Sequence, residues 1–173
     1  ILTDVIRVGA QSLTVGFGEQ IVSAEPQDSY SLCWCYVQSG EDRRCDSEQE
    51  FLVFAGSLKV EGPFSRQEVE CYLGQFCVIS NVEGVGLQLG DRLMVLHNCG
   101  RGGPVQGFPG DGIAETQRSD RSSYKFEFAV DILSNKTLLL SAPGLLRLCY
   151  CRGVMLEPCS EPVHFSATVG LFI

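Results

Sequence analysis

The chain has 173 residues, a net charge of −8, 45% hydrophobic residues and 20% charged residues. That length can bury a core in one or two domains. The acidic balance, with Lys and Arg unclustered beyond Arg43-Arg44 and the scattered Arg101, Arg118 and Arg121, argues against nucleic acid or an anionic membrane surface as partner.

No apolar run approaches the roughly 18–20 residues needed to cross a bilayer, so membrane insertion of this segment is not expected. Ile1 begins inside a patterned stretch with no signal peptide before it, which reads as a processed chain or a piece of a longer one. Along the chain, Ser12–Phe17, Glu50–Phe54, Arg92–Leu96 and Tyr124–Val130 are short runs rich in β-branched and aromatic residues, several with period-two alternation. Turn clusters separate them: Glu25-Pro26-Gln27-Asp28, Gln38–Asp42, Glu61-Gly62-Pro63 and Ala142-Pro143-Gly144. Segment 65–73 is the nearest candidate for a short helix. About seven to ten strands with regular turn signals predict an all-β chain built as an antiparallel sandwich.

The segment from Cys99 to Ser123 carries six glycines and two prolines without strand patterning, and a surface loop over 100–123 is expected. Its glycines lack the Gly-Lys-Ser/Thr ending of a phosphate loop. Asp111, Glu115 and Asp120 lack the tight alternation by which calcium loops converge their oxygens. Further on, Asn135-Lys136-Thr137 is an acceptor sequence for N-glycosylation.

Tyr30-Ser31-Leu32-Cys33-Trp34-Cys35, followed by Cys45, Phe51 and Gly56, recurs as Leu146-Arg147-Leu148-Cys149-Tyr150-Cys151, followed by Cys159, Phe165 and Gly170. The offset is 116 residues at Cys33/Cys149 and 114 at Cys45/Cys159, a two-residue loop deletion. Such a period is the size of a domain and points to a duplicated module. The boundary is placed near Lys59–Pro63. Residues 1–59 then form the C-terminal half of one module, and 60–173 form a complete one.

Nine cysteines in this length predict disulfides and an oxidising compartment, extracellular or at the cell surface. Cysteines two apart in a strand lie about 6.5–7 Å apart, at or beyond disulfide reach, and so choose different partners. A hairpin after each pair would join Cys35 to Cys45 and Cys151 to Cys159. Cys33 and Cys149 then point into or across the sandwich. Cys149 could take Cys77 or Cys99, and Cys71 could close locally on Cys77; the spacing leaves these open. The complete module holds six cysteines and the half module three, so Cys33 is the candidate for a bond outside this chain.

A zinc site would need Cys-x2-4-Cys spacing, whereas these pairs are Cys-x-Cys, with His164 five residues after Cys159. His97 reads as a surface or hydrogen-bonded residue. No nucleophile elbow, His-Glu-x-x-His or kinase signature is present, and the carboxylates are spread through turns, so no catalysis, metal or cofactor is expected. Trp34 and Tyr150 hold equivalent places; core or inter-module packing is their expected use, with glycan stacking as the sharper alternative.

The Tyr30–Cys35 strand, the Cys71-x5-Cys77 segment and the run from Gly86 to Gly100, with Gly90-Asp91-Arg92-Leu93 at its centre, resemble the cysteine-rich repeats of large secreted and surface proteins of protists and algae. That resemblance implies tandem Ig-like β-sandwich modules in extracellular assemblies, including hair-like flagellar filaments of the mastigoneme kind, and brings no catalytic residues. The expectation is therefore a structural repeat protein of a fibre, coat or flagellar surface. Its partners would be other copies of itself or adjacent modules. The alternative is an adhesin-like module holding glycan or protein through the 99–123 loop or exposed aromatics.

Overall fold

Leu93-Met94-Val95-Leu96 is apolar at every position, and a strand of that kind needs cover on both faces. The computed structural model of the chain describes residues 4–8, 12–16, 24–36, 45–118, 124–128, 145–153 and 159–173. Among them the strands are β1 (Asp4–Val8), β2 (Ser12–Gly16), β3 (Gln27–Trp34), β4 (Val53–Val60), β5 (Gly62–Pro63), β6 (Gln67–Val69) and β7 (Val78–Ile79). They continue with β8 (Gly84–Val85), β9 (Arg92–Leu96), β10 (Ile113–Arg118), β11 (Tyr124–Phe128), β12 (Leu146–Cys151) and β13 (Ala167–Phe172). The described chain is all-β, its only helical elements being 3-10 turns at Glu48–Glu50, Pro109–Gly112 and Pro162–His164.

One seven-stranded sheet runs β6-β13-β12-β9-β10-β11-β7, with β9 at its centre. The pairs β1–β2, β3–β4 and β5–β8 form separate two-stranded ribbons. Successive residues of a strand face opposite sides. Leu93 and Val95 therefore join Leu148, Phe126 and Phe172 in one core cluster, while Met94 and Leu96 join Cys149, Cys151 and Phe165 in the other. Three strands lie between β11 and β13, roughly 19 Å apart in a flat sheet at the usual strand spacing. Yet the rings of Phe128 and Phe172 are 6.4 Å apart, and Phe108 packs against both. The sheet is curled around its first core cluster. No residue before Gly62 is buried among those whose burial is described.

Three expectations are corrected. The pairings are antiparallel except for β6, which runs parallel to β13. The close approach there uses Gly170, because a Cβ on it would lie 1.7 Å from the Gln67 carbonyl oxygen. Segment 65–73 holds the strand β6 in place of a helix: pairing along the β13 edge, extended by Cys71 N–H to the Ile173 carbonyl, overrides weak local propensity. The loop expected over 100–123 is shorter, since Ile113–Arg118 is a strand between β9 and β11. Its polar composition hid it, because ladder bonds on both sides hold it and only Ala114 is fully buried. Residues 119–123, Asp120 among them, and the sequon at Asn135 lie outside the described residues.

Candidate interaction surface

The two copies of the repeat share one geometry. In the first, Tyr30 pairs with Leu58, Ser31 with Ser57 and Leu32 with Gly56; the register then slips, and Cys33 pairs with Phe54. In the second, Leu146 pairs with Phe172, Arg147 with Leu171 and Leu148 with Gly170; the same slip follows, and Cys149 pairs with Thr168. A bulge at one place in both copies is a specified feature of the ribbon. The 3-10 turns correspond too. Glu50 Oε2 accepts from the Asp46 and Ser47 amides at 2.9 and 3.0 Å, and His164 Nδ1 accepts from the Ser160 and Glu161 amides at 3.4 and 3.2 Å. His164 thus caps a turn where the first copy uses a carboxylate. With Nδ1 accepting, a neutral ring carries its proton on Nε2.

Cover is what distinguishes the copies. Leu32 is 38% exposed and Leu148 1%; Phe51 is 40% and Phe165 0%; Leu58 is 39% and Phe172 2%. Trp34, at 38%, stands where Tyr150 is 5% exposed. With Tyr36, Val53 and Phe54 also exposed, the β3–β4 ribbon presents large apolar side chains to solvent on both of its faces, an accumulation of the kind that marks an interaction site.

Four disulfides staple the described chain, the chemistry of an oxidising, extracellular setting. Cys35–Cys45 and Cys151–Cys159 close the two hairpins, with Cα atoms 5.9 and 5.8 Å apart. Of the arrangements the spacing left open, Cys149 takes Cys99 and Cys71 takes Cys77. Cys33 is free, and it is exposed where Cys149 is buried. It does not point into a core, because the strand that covers Cys149 has no described counterpart over Cys33. The Cys71–Cys77 loop holds Tyr72, Leu73 and Phe76 outward, a second exposed apolar feature that the spacing did not announce.

Where the copies meet, only Glu61 separates β4 from β5. Its carboxylate bonds Lys59 at 3.1 Å and Arg152, at the end of β12, at 2.5 Å. Those two cations, Lys59 first, hold its pKa below the ordinary value. Beneath this bridge a cavity of about 330 Å³ lies between Pro26, Gly62, Tyr150 and Thr168. Tyr150 presents a buried hydroxyl that makes no hydrogen bond of good geometry among the described residues, although the Asp91 carboxylate lies close enough to act on it. Burial first, and then the nearby Asp91 charge, push its phenol pKa upward, so it stays neutral.

Asp91 is fully buried and accepts from the amides of Gln88 at 2.8 Å and Gly153 at 3.2 Å. Arg92 donates to the Cys159 carbonyl at 3.1 Å and to Glu115 at 2.7 Å. The Gly90-Asp91-Arg92 run therefore fastens loops at the base of the sheet, and Glu115 is engaged in that fastening. His97 and Asp111 are exposed. Among the described residues no group of three or more His, Cys, Asp and Glu is placed to hold a metal, and no helix is long and apolar enough to cross a membrane.

Asp91, the Glu61–Arg152 bridge and the paired glycines Gly56 and Gly170 went unassigned by sequence reasoning. The glycines left a signal through their shared place in the repeat, and Asp91 through its place at the centre of the Gly86–Gly100 run; the Glu61–Arg152 bridge left none. Comparison with family models, with curated proteins and with solved structures gives no match.

Proposed function

We propose that this chain is a structural, non-catalytic part of an extracellular assembly. It would be a stretch of tandem, disulfide-stapled modules of the Ig-like β-sandwich kind that packs module on module in a fibre, coat or flagellar surface filament. On this reading residues 1–59 are the back half of one module and 60–173 the next. The observation that carries it is the repeated ribbon: one register, one bulge and one hairpin disulfide, with the apolar positions buried in one copy and open in the other. Apolar surface of that extent in water is unfavourable, so contacts beyond this chain cover it.

Sedimentation of the oxidised, secreted chain tests this. Concentration-dependent association is expected, suppressed by changing Trp34 and Phe54 to Ser. A stable, monodisperse monomer across the micromolar range would refute it. The exposed Tyr72, Leu73 and Phe76 favour a second reading, a glycan- or protein-binding module, since aromatic faces suit such contacts. Glycan-array binding that is lost on replacing these three residues, with association unchanged, would select it.

A further inference from the structure

In the complete copy, β12 and β13 are flanked on both sides. Along β12 runs β9, with Cys149 opposite Met94, Leu148 opposite Val95 and Tyr150 opposite Leu93. Along β13 runs β6, with Gly170 opposite Gln67. In the first copy, β3 and β4 pair only with each other among the described residues. Each open edge nevertheless keeps the residue that its neighbour requires. Gly56 stands at the place of Gly170, yet a Cβ there would meet nothing within 4 Å. Glycine inside a strand weakens it unless another backbone comes close. Cys33 stands at the place of Cys149, which bonds the cysteine just past β9.

The β1–β2 ribbon points to the same vacancy. Asp4 through Val8 pair with Gly16 through Ser12, and Ala114 through Arg118 pair with Phe128 through Tyr124, ladders of five pairs each. In the complete copy β9 lies between β10 and β12 and joins their two hairpins into one sheet. In the first copy the corresponding hairpins are separate ribbons.

From these features we infer that the β3–β4 ribbon is an acceptor for a segment of the same kind as residues 62–112, contributed by another repeat. A β9-like strand runs antiparallel to β3, a β6-like strand runs parallel to β4 past Gly56, and a cysteine in the place of Cys99 bonds Cys33. The inference rests on the module-packing reading and names the partner. A second copy of this chain, folded as this one is, does not donate the segment: its β9 is enclosed between β10 and β12 and its Cys99 is bonded to Cys149. In the new bond the two thiols give up two protons and two electrons to a small-molecule or oxidoreductase disulfide, which leaves as two thiols.

The test uses the whole chain and a synthetic peptide with the sequence of residues 89–101, its cysteine carried as a mixed disulfide with 5-thio-2-nitrobenzoate. The Cys33 thiolate attacks the peptide sulfur, the peptide–nitrobenzoate S–S bond breaks, and the coloured thiolate departs. A control peptide carries Met94→Pro, which removes an amide and blocks the ladder.

Because strand docking raises the local concentration of the two sulfurs, the matched peptide should react about tenfold faster than the control. Amide exchange should then slow at Ser31–Trp34, and Cys33→Ser should abolish release. Equal rates for the two peptides, an adduct without amide protection, or preferential Cys33–Cys33 dimers in the presence of matched peptide would each overturn the acceptor assignment. Equal rates in a chain that still associates through its ribbon remove this assignment alone. A chain that never associates removes module packing as well.

Discussion

Leu148 and Leu32 occupy one position of one repeat, and truncating them should have unequal consequences. Leu148 is 1% exposed within the first core cluster, flanked by Leu146 and Tyr150 on the same face. Leu148→Ala removes its transfer free energy and leaves a cavity, a loss of about 2–5 kcal/mol. Leu32 is 38% exposed and packs in no buried cluster, so Leu32→Ala should cost under about 1 kcal/mol. Equilibrium guanidinium unfolding of the oxidised chain, followed by far-ultraviolet circular dichroism, resolves the two. With a slope of about 3 kcal/mol/M, Leu148→Ala lowers the midpoint by about 1 M and Leu32→Ala by about 0.3 M or less. Equal shifts would refute the reasoning, because they would mean that the β3–β4 ribbon already has a core.

The staples should rank by the length of chain they close. Replacing Cys99 and Cys149 by Ala opens a loop with a sequence separation of 50 residues, against 6 for Cys71–Cys77. The chain-entropy model gives about 4 and about 2 kcal/mol, and an inverted order in the same unfolding assay would contradict it. His164→Glu should retain stability, since Glu50 does the same capping in the first copy, while His164→Ala should cost about 1 kcal/mol. Tyr150→Phe removes a buried hydroxyl that makes no hydrogen bond of good geometry and should be neutral or stabilising by up to about 1 kcal/mol. A loss above about 1.5 kcal/mol would show that the hydroxyl bonds Asp91. Because Glu61 has a lowered pKa, its contribution is present above the ordinary value of 4.5 and is lost as pH falls through the folded value. Acid unfolding of wild type and Glu61→Gln should therefore diverge only above that range, and a constant offset at all pH values would reject the ion-pair assignment.

Legibility followed the range of the interactions involved. Arg92–Leu96 and Tyr124–Phe128 declared themselves through side chains that are buried, and the hairpin cysteines through a spacing that one ribbon can close. Ile113–Arg118 did not, because it is held by ladders to two other strands and contributes little apolar surface of its own. Gln67–Val69 lies in the segment that reads as the nearest helix candidate, and it becomes a strand only with the edge of β13 beside it. At the candidate surface, the equivalence of Cys33 and Cys149 was visible in the spacing. That one is open and the other covered depends on β9 and on the cysteine just past it, 50 residues from Cys149 in sequence, which no local pattern encodes.

Gly56 and Cys33 together constrain what the ribbon is for. A ribbon meant to stay in water gains nothing from a glycine opposite Leu32 or from a bare thiol in an oxidising compartment, where free thiols are drawn into exchange. Both residues acquire a physical reason once strands lie along both edges, as they do along β12 and β13. The same neighbours would cover Leu32, Phe51 and Leu58 and merge the first copy's two hairpins into one sheet. Glu61 would then tie that sheet to the second copy, since it alone separates β4 from β5 and its carboxylate bonds Arg152 just past β12. On the module-packing proposal, a link that short would carry orientation from one module to the next, as an extended array of repeats requires.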